Sequence, residues 1–295
     1  MQWKTDWGLR TRMGLTMFLL FAVYLAFAAG LTVALGTRWW VIAIGLGAFM
    51  VAQYYFSDRI ALYGMGAREV SREEHPELHA AVQRLSQQAD LPMPTVAVAD
   101  TPTPNAFATG RNRKNATVCV TTGLMKTLDQ DELDGVIAHE LAHIKNRDVL
   151  VITVASFLSS LAFLIVRWGA FFGGGHRGGN RNGGGGVVVA ILVSLVVWIL
   201  SFLLIRLLSR YREYAADRGG AAITGKPSAL ASALTKISGR MDDVPTEDAR
   251  EQAEMNAFFI IPIKKGFVGG LFRTHPSTEN RIERLRALER DLESR

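Results

Sequence analysis

Four stretches without a charged side chain constrain this chain most: residues 13–35, 39–56, 149–166 and 187–205, of 23, 18, 18 and 19 residues. At about 1.5 Å of rise per residue, each helix would reach, or nearly reach, across the roughly 30 Å of hydrocarbon in a bilayer. The chain thus reads as a mostly α integral membrane protein with four transmembrane helices. Two other readings exist. Runs three and four also fit long buried helices of a soluble core. The first run follows Lys4, Arg10 and Arg12 and contains Ala26, Phe27 and Ala28, features shared with a signal peptide, but it exceeds the usual apolar core of about 7–15 residues.

Basic residues near the span ends orient such a protein. The N-terminal tail carries Lys4, Arg10 and Arg12, against only Arg38 between the first two runs. Lys145 and Arg147 precede the third run, and Arg206, Arg210 and Arg212 follow the fourth. These put the tail and the segments flanking the last two runs in the cytoplasm; Arg167, Arg177 and Arg181, between runs three and four, oppose the assignment. The net charge of +6 sits at span ends and forms no stripe interleaved with aromatics, so lipid headgroups are expected as partners and nucleic acid is not. The single cysteine, Cys119, excludes an internal disulfide. The connector GGGHRGGNRNGGGG, residues 173–186, is of low complexity, and its His176 reads as a solvated loop residue.

The chemistry is concentrated in HELAH, residues 139–143. His139 and His143 are i and i+4, so on a helix both imidazoles share one face and can hold one ion. Glu140 then projects beside that ion, where a carboxylate can take a proton from an attacking water. The local sequence supports a helix over Gln130–Asn146. Asp129 and Glu132 form a capping box, Leu128 and Leu133 a hydrophobic staple, and Val136, Ile137, Leu141 and Ile144 an apolar face.

A catalytic zinc takes three protein ligands and leaves a position for water, so a third donor is needed. Run three begins six residues after His143, and run four ends eight residues before Glu213. If these runs form an antiparallel hairpin, His143 and Glu213 stand about 9 and 12 Å from the same membrane face. Glu213 is thus the expected third ligand. Asp217, one turn further on, is placed to accept a hydrogen bond from the far nitrogen of His139. The plainer alternative makes both ordinary helix charges, paired with Arg210 and Arg212. His75 and His79 repeat the i, i+4 spacing, but Pro76, not a carboxylate, directly follows the first of them, so they read as residues of a helix start.

HELAH, then YREYAAD, with PNAFATG at 104–110 and THPSTENRI at 274–282, resemble the membrane gluzincin peptidase family that contains HtpX and the CaaX prenyl endopeptidases. The paired N-terminal runs are similar to the HtpX layout. The resemblance implies an α+β zincin-type catalytic domain with a small β-sheet, His139, His143 and Glu213 holding one Zn²⁺ per chain, Glu140 as base and Asp217 behind His139. It also implies that Asn105, Ala106, Phe107, Ala108, Thr109 and Gly110 form an edge strand along which a polypeptide substrate lies. His275 and Arg281 would approach from the C-terminal helix as donors to the tetrahedral oxyanion or to Glu213.

The residues themselves support these unevenly. TVAVAD at 95–100 and ATVCVT at 116–121 alternate as strands, consistent with substrate binding by strand addition, while Asn105 after Pro104 also suits a turn. His275 also fits a cap, and Arg281 a surface position, on a helix whose Ile282, Leu285, Leu288 and Leu292 form a packing stripe. The stretch 241–274, mixed in charge and then apolar and Gly-containing, reads as a flap.

The expected organisation is a transmembrane pair at 1–56, a first catalytic segment at 57–148, a transmembrane hairpin at 149–205 and a second catalytic segment at 206–295. The expected function is a multi-pass endopeptidase of the bacterial inner (plasma) membrane, with its catalytic domain cytoplasmic. Its substrates would be membrane proteins, and the resemblance to HtpX implies quality control under stress. The alternatives are a CaaX-type prenyl-protein endopeptidase and a non-catalytic membrane scaffold.

Overall fold

The computed structural model describes residues 7–35, 39–148, 151–152, 162, 183–242 and 276–294. His176, His275, most of the run 149–166, most of the connector and nearly all of 241–274 lie outside them. Among the described residues the elements run α1 (Trp7–Leu35), α2 (Trp39–Gly64), β1 (Ala67–Glu69), α3 (Pro76–Gln88), β2 (Thr95–Ala99), β3 (Ala106–Asn112), β4 (Asn115–Thr121), α4 (Thr122–Thr127), α5 (Gln130–Asn146), α6 (Gly183–Thr224), α7 (Pro227–Asp242) and α8 (Thr278–Glu293). The chain divides into two compact units, one of Met1–Asp6, Phe56–Leu150 and Ser209–Arg295, the other of Trp7–Tyr55 and Val151–Leu208.

The second unit is apolar on its outside. Phe18 and Ile44 are each 65 % exposed, and Phe21, Leu25, Leu192 and Val196 also point outward. Such a surface is unfavourable in water by about 25 cal/mol per Å² and at ease in hydrocarbon. Inside, Leu20 and Leu208 are buried among Met13, Met17, Tyr24 and Leu204. Among the described residues, two stretches are long and apolar enough to cross a membrane, Trp7–Gly30 in α1 and Ile191–Thr224 in α6. The second run forms the beginning of α2, and only residues 151, 152 and 162 of the third are described, so the expected count of four spans is not reached among the described residues.

The first unit is built on a four-stranded mixed sheet of order β1-β2-β4-β3. β2 and β4 pair in parallel, with Val96 opposite Val118, while β1 and β3 run antiparallel to their neighbours. β3 and β4 form a tight hairpin. Gly110 there has φ +125°, and a Cβ on it would meet the Asn115 carbonyl oxygen at 2.2 Å. Val96, Val98, Val118 and Val120 turn one sheet face toward a core completed by Leu85 of α3, Ile137 and Leu141 of α5, Leu234 of α7 and Leu285 of α8. Ala97, Ala99, Phe107 and Cys119 turn the other way, onto Ala61 and Leu62 at the end of α2. Buried there, the Cys119 thiol is pushed up to about 12 and is inert.

α5 lies at the centre of this core and has the limits its sequence implies. Asp129 Oδ1 accepts from the Glu132 amide and Glu132 Oε2 from the Asp129 amide, both at 3.0 Å. Glu132 also accepts from Ser232 and Lys236 of α7, each at 2.6 Å, which fixes the start of α5 against its neighbour. α6 approaches the same helix through Gly220, where a Cβ would stand 2.9 Å from the His139 nitrogen. Gly220→Ala is therefore expected to force the two helices apart, costing about 1–3 kcal/mol as overpacking does. Because the strain falls on His139, metal binding should weaken along with thermal stability; an unchanged melting temperature would show that the backbone contact is looser than this.

Candidate metal centre

α5 presents HELAH in the helical register its spacing requires. The His139 and His143 rings meet edge to face, their centroids 4.7 Å apart, and their Nε2 atoms are separated by 3.1 Å. α6 brings Glu213 to the same point, with Oε2 3.5 Å from His139 Nε2 and Oε1 3.5 Å from His143 Nε2. His139, His143 and Glu213 thus offer donor atoms that all lie within 4.8 Å of one another.

This donor set fits a small divalent cation. Ligand bonds of about 2.0–2.1 Å in a tetrahedron put donor atoms about 3.3 Å apart, close to these separations. The far side of each ring also fits. Asp217 Oδ1 is 3.0 Å from His139 Nδ1 and Asp148 Oδ2 is 2.6 Å from His143 Nδ1. Carboxylates there favour the Nδ1–H tautomers, leaving two Nε2 lone pairs and a carboxylate converging on one point. The Asp148 contact is an aligned hydrogen bond; the Asp217 contact is short but lies off the hydrogen-bond direction.

Glu140 is buried beside the histidines. Burial pushes its carboxyl above the ordinary carboxylate range, while His143, His139 and the Ala108 backbone amide oppose that rise. Ala108 belongs to β3, an edge strand of the sheet, and Asn105, Ala106, Phe107, Thr109 and Gly110 lie in or beside the same strand. Asn105 is not a free turn residue: its amide donates to Thr121 Oγ1 and its carbonyl accepts from the Thr121 amide, both at 2.9 Å.

Arg281 overturns its surface alternative, because α8 inserts it 1 % exposed into this centre. Its Nε and Nη2 donate to the two Asp217 oxygens at 2.9 and 2.6 Å, and Nη1 stands 3.3 Å from Glu213 Oε2. Of the two donor roles expected for it, the geometry matches the contact with Glu213, with Asp217 as its main partner. Removing one member of a buried pair leaves the other charge uncompensated, so Arg281→Ala should cost about 3–5 kcal/mol of stability in chemical denaturation. A loss below 1 kcal/mol, on the order of a surface ion pair, would contradict that burial.

His75 stands at the N-cap of α3, and a His79 ring nitrogen is 2.9 Å from the Val70 carbonyl oxygen, so both serve a helix start. Asp148 and Arg212 were not legible as site residues. Asp148 is five residues past His143, a spacing that no regular helix brings onto one face. It arrives because Arg147 adopts a left-handed conformation, φ 58° and ψ 40°, and nothing in an arginine announces that turn. The available signal was a carboxylate at the edge of an apolar run.

Residues 72–289 match Peptidase family M48. The chain belongs to peptidase family M48. Its relatives include Protease HtpX homolog 2 of Methanosarcina mazei, 55 % identical over 99 % of both chains, and a Protease HtpX homolog of Moorella thermoacetica, 54 % identical over 100 % of this chain and 99 % of that one. Protease HtpX homolog 1 of Streptomyces coelicolor is 50 % identical over 99 % of this chain and 96 % of its own. The crystal structure of S. mikatae Ste24p shares the fold, with a TM-score of 0.53 at 18 % identity, covering 92 % of this chain and 62 % of that one. The resemblance carried by the four motifs is borne out. As a member of M48 the chain is a metalloprotease, a hydrolase of peptide bonds, and its apolar helices make it a membrane-associated one.

Proposed function

We propose that this M48 member is a zinc endopeptidase whose active centre is His139, His143, Glu213 and Glu140, at the cytoplasmic face of the plasma membrane, the inner membrane of a bacterium. The convergence of two imidazole nitrogens and one carboxylate, with a second carboxylate beside them, carries the reading. Bound by His139, His143 and Glu213, one Zn²⁺ per chain would supply Lewis acidity and make water acidic enough to attack near neutral pH. Glu140 takes the proton of the attacking water and returns it to the departing amine nitrogen. β3 offers its outer edge to an extended polypeptide, whose backbone would pair alongside Ala106, Phe107, Ala108, Thr109 and Gly110. Arg281 holds Glu213 and Asp217 in place, and Asp217 orients His139. His275 stands as the further donor implied by its motif.

The substrates are membrane proteins with unfolded segments, and the role is proteolytic quality control under stress. Full-length likeness to proteins named protease HtpX supports this over the prenyl-peptide reading, for which the Ste24p likeness offers only a shared fold. The test is reconstitution of the zinc-loaded protein with a membrane protein carrying an unfolded loop on either side, and separately with a prenylated peptide. Cutting confined to the cytoplasmic loop is expected. Cutting on the opposite side would refute the orientation, and strong preference for the prenylated peptide would favour the CaaX-type activity.

A further inference from the structure

Each of the two histidines has a carboxylate behind it and an arginine behind that carboxylate, although the contacts differ in detail. Behind His139 stands Asp217, gripped by Arg281. Behind His143 stands Asp148, whose Oδ2 takes the 2.6 Å contact from Nδ1 and whose Oδ1 lies 3.1 Å from Arg212 Nε. Each imidazole has its own carboxylate and each carboxylate its own arginine.

We propose that Asp148 is the positioning residue for His143, and that Arg212 holds Asp148 in place, so that two His–Asp–Arg chains set the donor nitrogens of the centre. The inference rests on the reading of His139, His143 and Glu213 as a zinc site. Asp148 is 1 % exposed, and a carboxylate loses several kcal/mol of hydration at such a position unless its charge is answered. It is answered by the ring of His143 and by Arg212, which fix the carboxylate from two sides. The short hydrogen bond holds the His143 proton on Nδ1, aims Nε2 into the centre and makes that nitrogen a stronger donor. Arg212 precedes Glu213 in sequence, so the Asp148–Arg212 contact also ties the end of α5 to α6 at the level of the third ligand. The left-handed turn at Arg147, costly for a residue with a side chain, serves this arrangement by bringing Asp148 back alongside His143.

The test is the zinc dissociation constant of the full-length protein in detergent, measured against a competing chelator for wild type, Asp148→Ala, Asp148→Asn and Arg212→Gln. Thermal unfolding of each metal-free form reports the fold. Asp148→Ala should bind zinc about 10–100-fold more weakly, as loss of an outer carboxylate does elsewhere. Asp148→Asn, which still accepts from Nδ1–H, should recover part of the loss, and Arg212→Gln should weaken zinc less than Asp148→Ala. The visible spectrum of the cobalt-substituted protein should change in Asp148→Ala. Zinc affinity within twofold of wild type, or a loss that tracks the metal-free melting temperature and is not eased by asparagine, would overturn the proposal. A wild type that binds no zinc would instead remove the metal-centre reading on which it stands.

Discussion

Glu140→Gln is expected to abolish cleavage while zinc stays bound. Glutamine matches glutamate in size, so the buried position beside His139 and His143 remains filled and the three donor side chains are undisturbed. What disappears is the ability to take a proton. A positioned general base contributes about 10²–10⁴-fold, and the variant should lose at least that much of its cleavage rate. In the unsubstituted protein, burial holds the Glu140 carboxyl above the ordinary carboxylate range, against the opposing pull of His143 and His139. The measurement is single-turnover cleavage of an unfolded substrate together with metal content. Cleavage within tenfold of wild type would assign the base elsewhere, and a scaffold function would be indifferent to the change.

Glu213→Ala should remove metal and activity together. Of the three converging donors it is the one supplied by α6, and without it two imidazoles on a single helix remain. The affinity loss should exceed the roughly 10–100-fold expected for an outer partner, because a direct ligand is gone. The substitution also deprives Arg281 of a carboxylate 3.3 Å away, although Asp217 still holds it, so the fold should survive better than in Arg281→Ala. Metal analysis after dialysis separates the two substitutions: zinc retained in Glu140→Gln, lost in Glu213→Ala. Zinc retained in both would mean that the third donor lies elsewhere.

What could be read in the sequence was local. The limits of α5 follow from a capping box and an apolar period contained within its own residues, and both appear as expected. Glu213 could be paired with His143 because each lies a few residues from an apolar run, so the runs act as a ruler. Contacts without such a ruler were not legible. β2 and β4 read as strands, but their parallel pairing, and the three-residue β1, depend on partners distant in sequence. Arg281 lies on a helix otherwise rich in charge, and only the fold reveals Asp217, 64 residues away, as its partner. Asp148 was hidden by a backbone turn at a non-glycine residue, which carries no compositional mark.

The most direct test of the central claim is zinc K-edge X-ray absorption on the purified full-length protein. The account predicts one zinc with two histidine imidazoles and further oxygen ligands at about 2.0–2.2 Å, and loss of an imidazole contribution in His143→Ala. A spectrum unchanged by His143→Ala, or a first coordination sphere without imidazole, would contradict it.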